Sequence, residues 1–285
     1  MKFYHYINKI TNLKIIWYNK IIGEYMDNEF NYSYKKLNKV HLEILAALFM
    51  LIDHITWLLF KGYDTNILPI SLHIVGRMAF PIFAFFIAEG YFYTRNKNKY
   101  ILRIFIFSLI SHIPYMLCSV TFQKYGWLSL IPFATGDGID RFLNQGSVLF
   151  PYFIGLLMLK VYDNNNLNSM KKLLITTILA LLAFPFDWSS IAPMVVLAIG
   201  TNRDKPLKQI INSYFWIIIY ALVYFFAINK IYGLIQLATI LALIPLYFYN
   251  GRKSDNPKVN KIMKYFLYLF YPIHLLIIGI ISIII

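Results

Sequence analysis

Residues 40 to 60 read VHLEILAALFMLIDHITWLLF, and this stretch decides the class of the protein. A helix that crosses a bilayer needs about 20 predominantly apolar residues, and this run meets that length. Asp53 and His54 lie side by side within it. Because an ionisable side chain near the bilayer centre costs about 2.5 to 3.5 kcal/mol, two adjacent ones indicate a functional site. The alternative is a buried polar pair that only locks helix packing.

The composition extends the membrane interpretation to the whole chain. Its 285 residues are 59% hydrophobic and 14% charged, whereas soluble domains are about 25% charged. The net charge of +14 comes from short basic clusters between apolar runs. This pattern is typical of membrane-protein loops and disfavours a nucleic-acid-binding surface. The single cysteine, Cys118, excludes a disulfide within the chain.

Nine apolar stretches predict an all-α polytopic bundle of about nine transmembrane spans, some of them kinked at prolines. They are residues 40–60, 73–94, 100–120, 147–162, 172–186, 191–200, 210–227, 231–249 and 265–285. Residues 191–200 are fewer than a straight span needs; they are counted as a span, with a half-span or re-entrant segment as the alternative. Pro81 predicts a kink in the second span, since it frees the carbonyl of Arg77 four residues earlier. Residues 1–39 are predicted to form a basic cytoplasmic extension, and residues 40–285 the transmembrane domain.

The distribution of positive charge predicts the orientation. Alternate loops, counted from the N-terminal extension, hold 22 of the 27 Lys and Arg residues. Because basic loops stay in the cytoplasm, the N-terminus is predicted inside and the C-terminus outside a bacterial cytoplasmic membrane.

Five ionisable residues from four spans are predicted to share one layer in the outer half of the membrane. They are Asp53, His54, Arg77, His112 and His274, at about 7 to 15 Å from the outer ends of their helices. Neighbours on a helix point about 100° apart, so Asp53 is expected to pair with Arg77 and to leave His54 facing a cavity. The chemistry that remains for His54 is general-base catalysis, and no metal is expected.

A second set of charges is predicted near the inner surface. Glu89 and Arg103 lie at similar depth, either as a structural ion pair or as part of the mouth of a tunnel. Arg95, Lys97 and Lys99 add positive charge beside them. Such a mouth suits a polyanion, for example the phosphates of coenzyme A.

Five stretches resemble the TraX family, whose namesake is the membrane acetylase of F-type pilin. They are LAALFMLIDH (45–54), RMAFPIFAFFIAEGYFYTRN (77–96), KYILRIFIFSLISHIPY (99–115), YNGRK (249–253) and FYPIHL (270–275). The likeness extends over most of residues 40 to 280.

The resemblance implies an integral-membrane acyltransferase that moves an acetyl or other short acyl group from acetyl-CoA to a peptide or pilin-like acceptor at the outer face. The expected acceptor group is an N-terminal amine. A glycan or lipid hydroxyl is the alternative acceptor, and a proton-coupled transporter or an export scaffold are alternatives of another class. Partners other than this acceptor and the lipid bilayer are not expected, nucleic acid included.

The family motifs assign roles to particular residues. The resemblance points to five of them: Asp53, His54, Arg77, Glu89 and His274. In the expected mechanism Asp53, His54, Arg77 and His274 are catalytic, with His54 as general base and Arg77 or His274 stabilising the oxyanion. Substrate binding is predicted for Glu89, Arg95, Lys99, Arg103, His112 and Tyr271; His112 departs from the family pattern, in which glutamine is expected at this position. Related membrane O-acyltransferases carry a basic residue eleven positions before the first-span histidine, where this chain has Glu43.

Overall fold

The structure, a computed structural model, describes residues 36–60, 62–131 and 145–284. Most of the predicted N-terminal extension (1–35) and the centre of the longest loop (132–144) lie outside the described residues. The helices are α1 Lys39–Leu59, α2 Ile67–Arg77, α3 Ala79–Tyr93, α4 Lys97–Cys118, α5 Val120–Tyr125, α6 Leu149–Tyr162, α7 Ser169–Ala183, α8 Ile191–Thr201, α9 Pro206–Ala227, α10 Lys230–Gln236, α11 Leu243–Tyr247 and α12 Pro257–Ile284. Two 3₁₀ turns, Gly126–Leu130 and Leu237–Ala242, complete them.

Each predicted span coincides with helical structure, so the all-α membrane class is confirmed. Within the described residues six helical units are long and apolar enough to cross a bilayer: Lys39–Leu59, Ile67–Tyr93, Lys97–Cys118, Pro206–Ala227, Lys230–Tyr247 and Pro257–Ile284. Helices α6, α7 and α8 have only 14, 15 and 11 residues. At 1.5 Å per residue they reach about 17 to 22 Å, less than the roughly 30 Å hydrocarbon core.

The first helix begins at a complete capping box. The Asn38 side chain accepts a hydrogen bond from the His41 backbone N–H at 3.1 Å, and His41 Nδ1 accepts from the Asn38 N–H at 3.3 Å. These two bonds satisfy donors that the start of a helix leaves free. The next span is interrupted at Met78, whose N–H bonds to the carbonyl of Val75 at 3.2 Å. The helix is therefore irregular one residue after Arg77, near the position of the predicted kink.

The turn between α7 and α8 (residues 184–190) lies among other helices. Trp188 in this turn is only 5% exposed, and its ring stacks on Phe80 of α3 with centroids 3.7 Å apart. Most residues of α8 are buried, and α8 packs against α3, α6 and α9. Since neither α7 nor α8 is long enough to cross the membrane, their joining turn is held inside the bundle.

Contacts between loops support the assignment of alternate loops to the same side of the membrane, on which the charge count depends. The Lys39 N–H bonds to the Arg252 carbonyl at 2.8 Å, and the Lys97 ammonium lies 2.6 Å from the Asp163 carboxylate. We call the end of the bundle that carries Lys39, Lys97, Asp163 and Arg252 the basic end. All four lie in loops or helix ends that the charge count assigned to one side. Placing the basic end in the cytoplasm stays a prediction.

Candidate active site

Asp53 of α1 is buried between two hydrogen-bond donors from α2. Its Oδ1 accepts from His73 Nδ1 at 2.9 Å, and its Oδ2 accepts from Arg77 Nη1 at 3.4 Å. The predicted pairing of Asp53 with Arg77 is therefore present, and His73 is an additional partner that the sequence interpretation missed. His73 is fully buried, with its ring against Trp57 at a centroid distance of 4.6 Å. One carboxylate thus joins α1 to α2 inside the membrane.

A glycine makes this close approach possible. A Cβ on Gly76 would lie 2.5 Å from Asp53 Cβ and 2.6 Å from Asp53 Oδ1. Real Cβ atoms do not come so near other side-chain atoms, and small residues are the usual means by which membrane helices approach closely. Gly76 therefore sets the position of the Asp53 carboxylate relative to Arg77.

His54 bonds to His274 of α12, over a sequence separation of 220 residues. His54 Nδ1 and His274 Nε2 are 2.8 Å apart, the two rings are within 6° of parallel, and their centroids are 5.1 Å apart. Two parallel rings with so short a nitrogen–nitrogen distance and centroids 5.1 Å apart lie edge to edge in one plane. The sequence predicts that these two histidines share one layer, and the structure brings them into direct contact.

The hydrogen bonds of His274 assign the protons. His274 Nδ1 lies 2.7 Å from the Phe270 carbonyl, which can only accept, so Nδ1 carries the proton and Nε2 is the acceptor. His54 must then donate from Nδ1, which leaves a lone pair on His54 Nε2. Neutral His54 is thus fixed in the tautomer that a general base requires.

An elongated cavity of about 320 Å³ leads from the basic end towards the histidines. Lys39, Lys253 and Lys264 line it at the basic end. Met50 and Tyr271 line its inner end and are both buried. From Lys39 to Met50 the cavity follows α1 for about 16 Å. We call this space the lysine-mouthed cavity.

The inner end of the lysine-mouthed cavity lies one helical turn from both histidines. Met50 precedes His54 by four residues on α1, and Phe270 precedes His274 by four on α12. The Phe270 and His274 rings stack with centroids 4.6 Å apart, and Tyr271 meets His274 edge-on at 5.7 Å. Tyr271, predicted to contact substrate, therefore lies between the cavity and the histidine pair.

A second carboxylate, Asp187, approaches Arg77 from the α7–α8 turn. Its backbone N–H donates to the Gly146 carbonyl at 2.9 Å. The ring of the adjacent Trp188 lies 5.8 Å from the Arg77 guanidinium. The next two residues, Trp188 and Ser189, have positive φ angles of 61° and 48°. The sequence interpretation missed this residue, although Asp187 is the only ionisable side chain between Lys172 and Arg203.

The predicted inner set of charges is arranged differently from the expectation. Glu89 pairs with Arg203, and not with Arg103: Arg203 Nε and Nη2 donate to its two oxygens at 2.8 and 3.1 Å. This contact raises the pKa of Arg203 further. The reason is helical geometry, since Gly90 lines the lysine-mouthed cavity and Glu89 points about 100° away, towards the loop after α8.

The residues that line the lysine-mouthed cavity do not include Glu89, Arg95, Lys99 or Arg103. Arg95 and Lys99 are exposed, and Arg103 Nε is buried without a hydrogen-bond partner among the described residues. The positive charge at the cavity comes instead from two lysines near the start of α12 and from Lys39, which pairs with Glu43 at 3.4 Å.

His112 does not contact the histidine pair. Its Nε2 lies 2.9 Å from the Leu130 carbonyl, and its Nδ1 would be 3.3 Å from a Cβ on Gly146. Because Gly146 accepts the hydrogen bond from the Asp187 backbone, His112 lies behind the turn that carries this carboxylate.

Comparison with known proteins agrees with the resemblance seen in the sequence. A family model described as TraX protein matches residues 38–282. The "Probable fimbrial assembly protein FimC, serogroup H1" of Dichelobacter nodosus is 29% identical over 241 residues, which cover 82% of this chain and 91% of that protein. No solved structure matches the chain. With the helical membrane bundle and the family match over nearly its whole described length, this chain belongs to the TraX family.

Proposed function

We propose that this protein is a membrane acyltransferase. It transfers an acetyl or other short acyl group from acyl-CoA, bound from the basic end, to an amine of a peptide or pilin-like acceptor that arrives from the opposite face. The relation to a probable fimbrial assembly protein supports an acceptor of the pilin kind.

The lysine-mouthed cavity is the observation that carries this proposal. Its volume of about 320 Å³ is within the usual range for small-molecule sites, which begins near 300 Å³. Lysines at its entrance suit phosphate groups, and its apolar walls, including Phe83, Phe86 and Phe107, suit an extended pantetheine and acyl chain. An acyl-CoA bound with its nucleotide at the entrance directs its thioester towards His54.

Acyl transfer then follows from the proton positions at the histidine pair. As the acceptor nitrogen attacks the thioester carbonyl, His54 Nε2 takes a proton from it. The resulting imidazolium keeps its hydrogen bond from Nδ1 to His274, which holds the ring in place. When the tetrahedral intermediate collapses, the C–S bond breaks and the coenzyme A thiolate receives the proton from His54.

Arg77 is the better candidate for stabilising the oxyanion. In the assigned tautomer both nitrogens of His274 are occupied, one by Phe270 and one by His54. Arg77 uses Nη1 for Asp53, whereas its Nε–H is buried and has no partner among the described residues. A donor held in position before the reaction is what stabilises developing negative charge.

The test is acyl transfer by the purified protein in nanodiscs, with acetyl-CoA and a synthetic peptide that has a free N-terminus. Thiol release and mass spectrometry of the peptide measure the reaction. His54→Ala should reduce the rate by about 10²- to 10⁴-fold and leave acetyl-CoA binding unchanged. Lys253→Ala with Lys264→Ala should raise the KM for acetyl-CoA and weaken its dependence on salt.

Three results would count against the proposal. Full activity of stable His54→Ala protein would remove the mechanism. Transfer to a hydroxyl acceptor in place of the peptide would make the protein an O-acyltransferase. Proton-coupled uptake of a solute without any binding of acetyl-CoA would favour a transporter.

A further inference from the structure

Asp187 is a partly buried carboxylate that the steps above do not use. No side chain among the described residues hydrogen-bonds to it, and Arg77, whose guanidinium lies 5.8 Å from the ring centroid of the adjacent Trp188, is already bonded to another carboxylate. Asp187 interacts electrostatically with Tyr152 and Tyr271, which both line the lysine-mouthed cavity. The carboxylate therefore lies near the inner end of that cavity.

The backbone that holds Asp187 in this position is strained. Two successive non-glycine residues, Trp188 and Ser189, have positive φ angles, in the left-handed region that such residues rarely adopt. The Trp188 ring is held between Phe80 and Tyr220, with centroids 3.7 and 5.1 Å away. Ser189 Oγ donates to the Phe184 carbonyl at 2.9 Å. Strain that the surrounding structure maintains in this way is characteristic of functional sites.

We propose that Asp187 binds the acceptor's α-ammonium group and takes its first proton, so that this site acylates amines in preference to hydroxyls. The inference rests on the proposed acyltransferase function and assigns the acceptor half of its site. An acceptor ammonium has to lose two protons to become an amide, whereas a hydroxyl has to lose one. Two separate bases, Asp187 and His54, can each remove one of the two protons that the ammonium has to lose.

The proton balance is complete. The first proton passes from the ammonium to Asp187, which leaves a neutral amine with a lone pair. That nitrogen forms the new C–N bond while His54 takes the second proton, and His54 returns it to the coenzyme A thiolate as the C–S bond breaks. Asp187 then releases its proton to water, so that one ammonium and one thioester give one amide, one thiol and one proton.

The acidity of the acceptor favours an α-amine over a lysine side chain. An α-amino group has a pKa of about 7.7 to 8.0, whereas a lysine ammonium has about 10.4. Any carboxylate therefore takes a proton from an N-terminal ammonium about 2.5 pKa units more easily than from a lysine ammonium. Transfer of the proton to Asp187 is accordingly far less unfavourable from an N-terminus.

The test uses full-length protein in nanodiscs and three synthetic peptides of one sequence. The first has a free α-amine, the second an α-hydroxyl in its place, and the third a capped N-terminus with one lysine. Equilibrium binding without acetyl-CoA is measured first. Wild-type protein should bind the α-amine peptide at least about tenfold more tightly than the hydroxyl peptide, since a charged partner strengthens a hydrogen bond. Asp187→Asn should abolish this difference.

Turnover with acetyl-CoA is the second readout. Asp187→Asn should lower kcat/KM for the α-amine peptide by about 10²-fold and leave the dissociation constant of acetyl-CoA unchanged. Asp163→Asn, which removes a carboxylate at the basic end, is the matched control and should preserve the preference for the amine.

Equal binding of the amine and hydroxyl peptides to wild-type protein would overturn the proposal, and this comparison decides even if Asp187→Asn does not fold. Retention of the amine preference by folded Asp187→Asn would also overturn it. A preference for the amine in binding, without any acyl transfer, would contradict the acyltransferase function while leaving the ammonium site in place.

Discussion

The replacement of Asp53 by Asn tests whether the ion pair inside the membrane holds the site together. Asn keeps the shape of the side chain and an oxygen that can accept from His73. It removes the negative charge that faces Arg77, whose side chain is only 12% exposed. Removing one partner of a buried pair costs about 3 to 5 kcal/mol. Asp187 lies near enough to offset part of this loss, so the lower end of that range is expected.

The control makes the same chemical change in an exposed pair. Lys97 and Asp163 approach to 2.6 Å, but their side chains are 41% and 33% exposed. Exposed ion pairs contribute about 0 to 1 kcal/mol, so Asp163→Asn should be nearly neutral. At roughly 2 °C per kcal/mol, the Asp53 variant should lose about 6 °C in Tm and the Asp163 variant about 2 °C or less.

Thermal unfolding of both variants in one detergent, followed by size-exclusion chromatography or intrinsic fluorescence, measures the difference. The double variant Asp53→Asn with Arg77→Gln should recover most of the lost stability, because no unpaired charge remains. Equal Tm values for the two single variants would refute the view that the Asp53–Arg77 pair is buried and coupled. Failure of the double variant to recover would assign the loss to His73 instead.

Three further predictions follow from the fold. Gly76→Ala should destabilise the protein by about 1 to 3 kcal/mol and lower acyl transfer, because the new Cβ would displace Asp53; Tm and turnover measure both. Lys264→Ala should raise the KM for acetyl-CoA, whereas Arg103→Ala should leave it unchanged, since only the lysine lines the cavity. Equal effects of the two substitutions would favour the tunnel mouth predicted from the sequence, which includes Arg103. Reporter fusions at residues 1 and 285 should place the N-terminus inside and the C-terminus outside, and both ends on one side would exclude an odd number of spans.

The sequence predicts most of the helices because each apolar run has to satisfy its own backbone in lipid. It also predicts the pairing of Asp53 with Arg77 and places His54 and His274 in one layer, since charges inside spans have few possible partners. The sequence predicts that Arg77 pairs with Asp53 across one short loop, and the structure contains that contact. Depth along each helix was sufficient for these residues, because their helices are long enough to cross the membrane.

The pairing of Glu89 could not be predicted from depth, because depth does not give the direction of a side chain around its helix. Glu89 and Arg103 are at similar depth, but Glu89 points to Arg203 in the short loop between α8 and α9. The same limitation explains why the lysines at the mouth of the cavity could not be predicted. Lys253 and Lys264 lie on either side of the start of α12, and only the packing of α12 beside α1 brings them to Lys39.

Asp187 was missed because the prediction counts the apolar runs 172–186 and 191–200 as two full crossings. On that assumption the turn after residue 186 lies at a membrane surface, where an aspartate needs no explanation. In the structure α7 and α8 are too short to cross, so the same turn ends beside Arg77. A charged residue between two apolar runs that are each shorter than the bilayer is therefore a candidate for a buried site. In this chain that criterion selects the carboxylate whose role in amine binding the peptide experiments test.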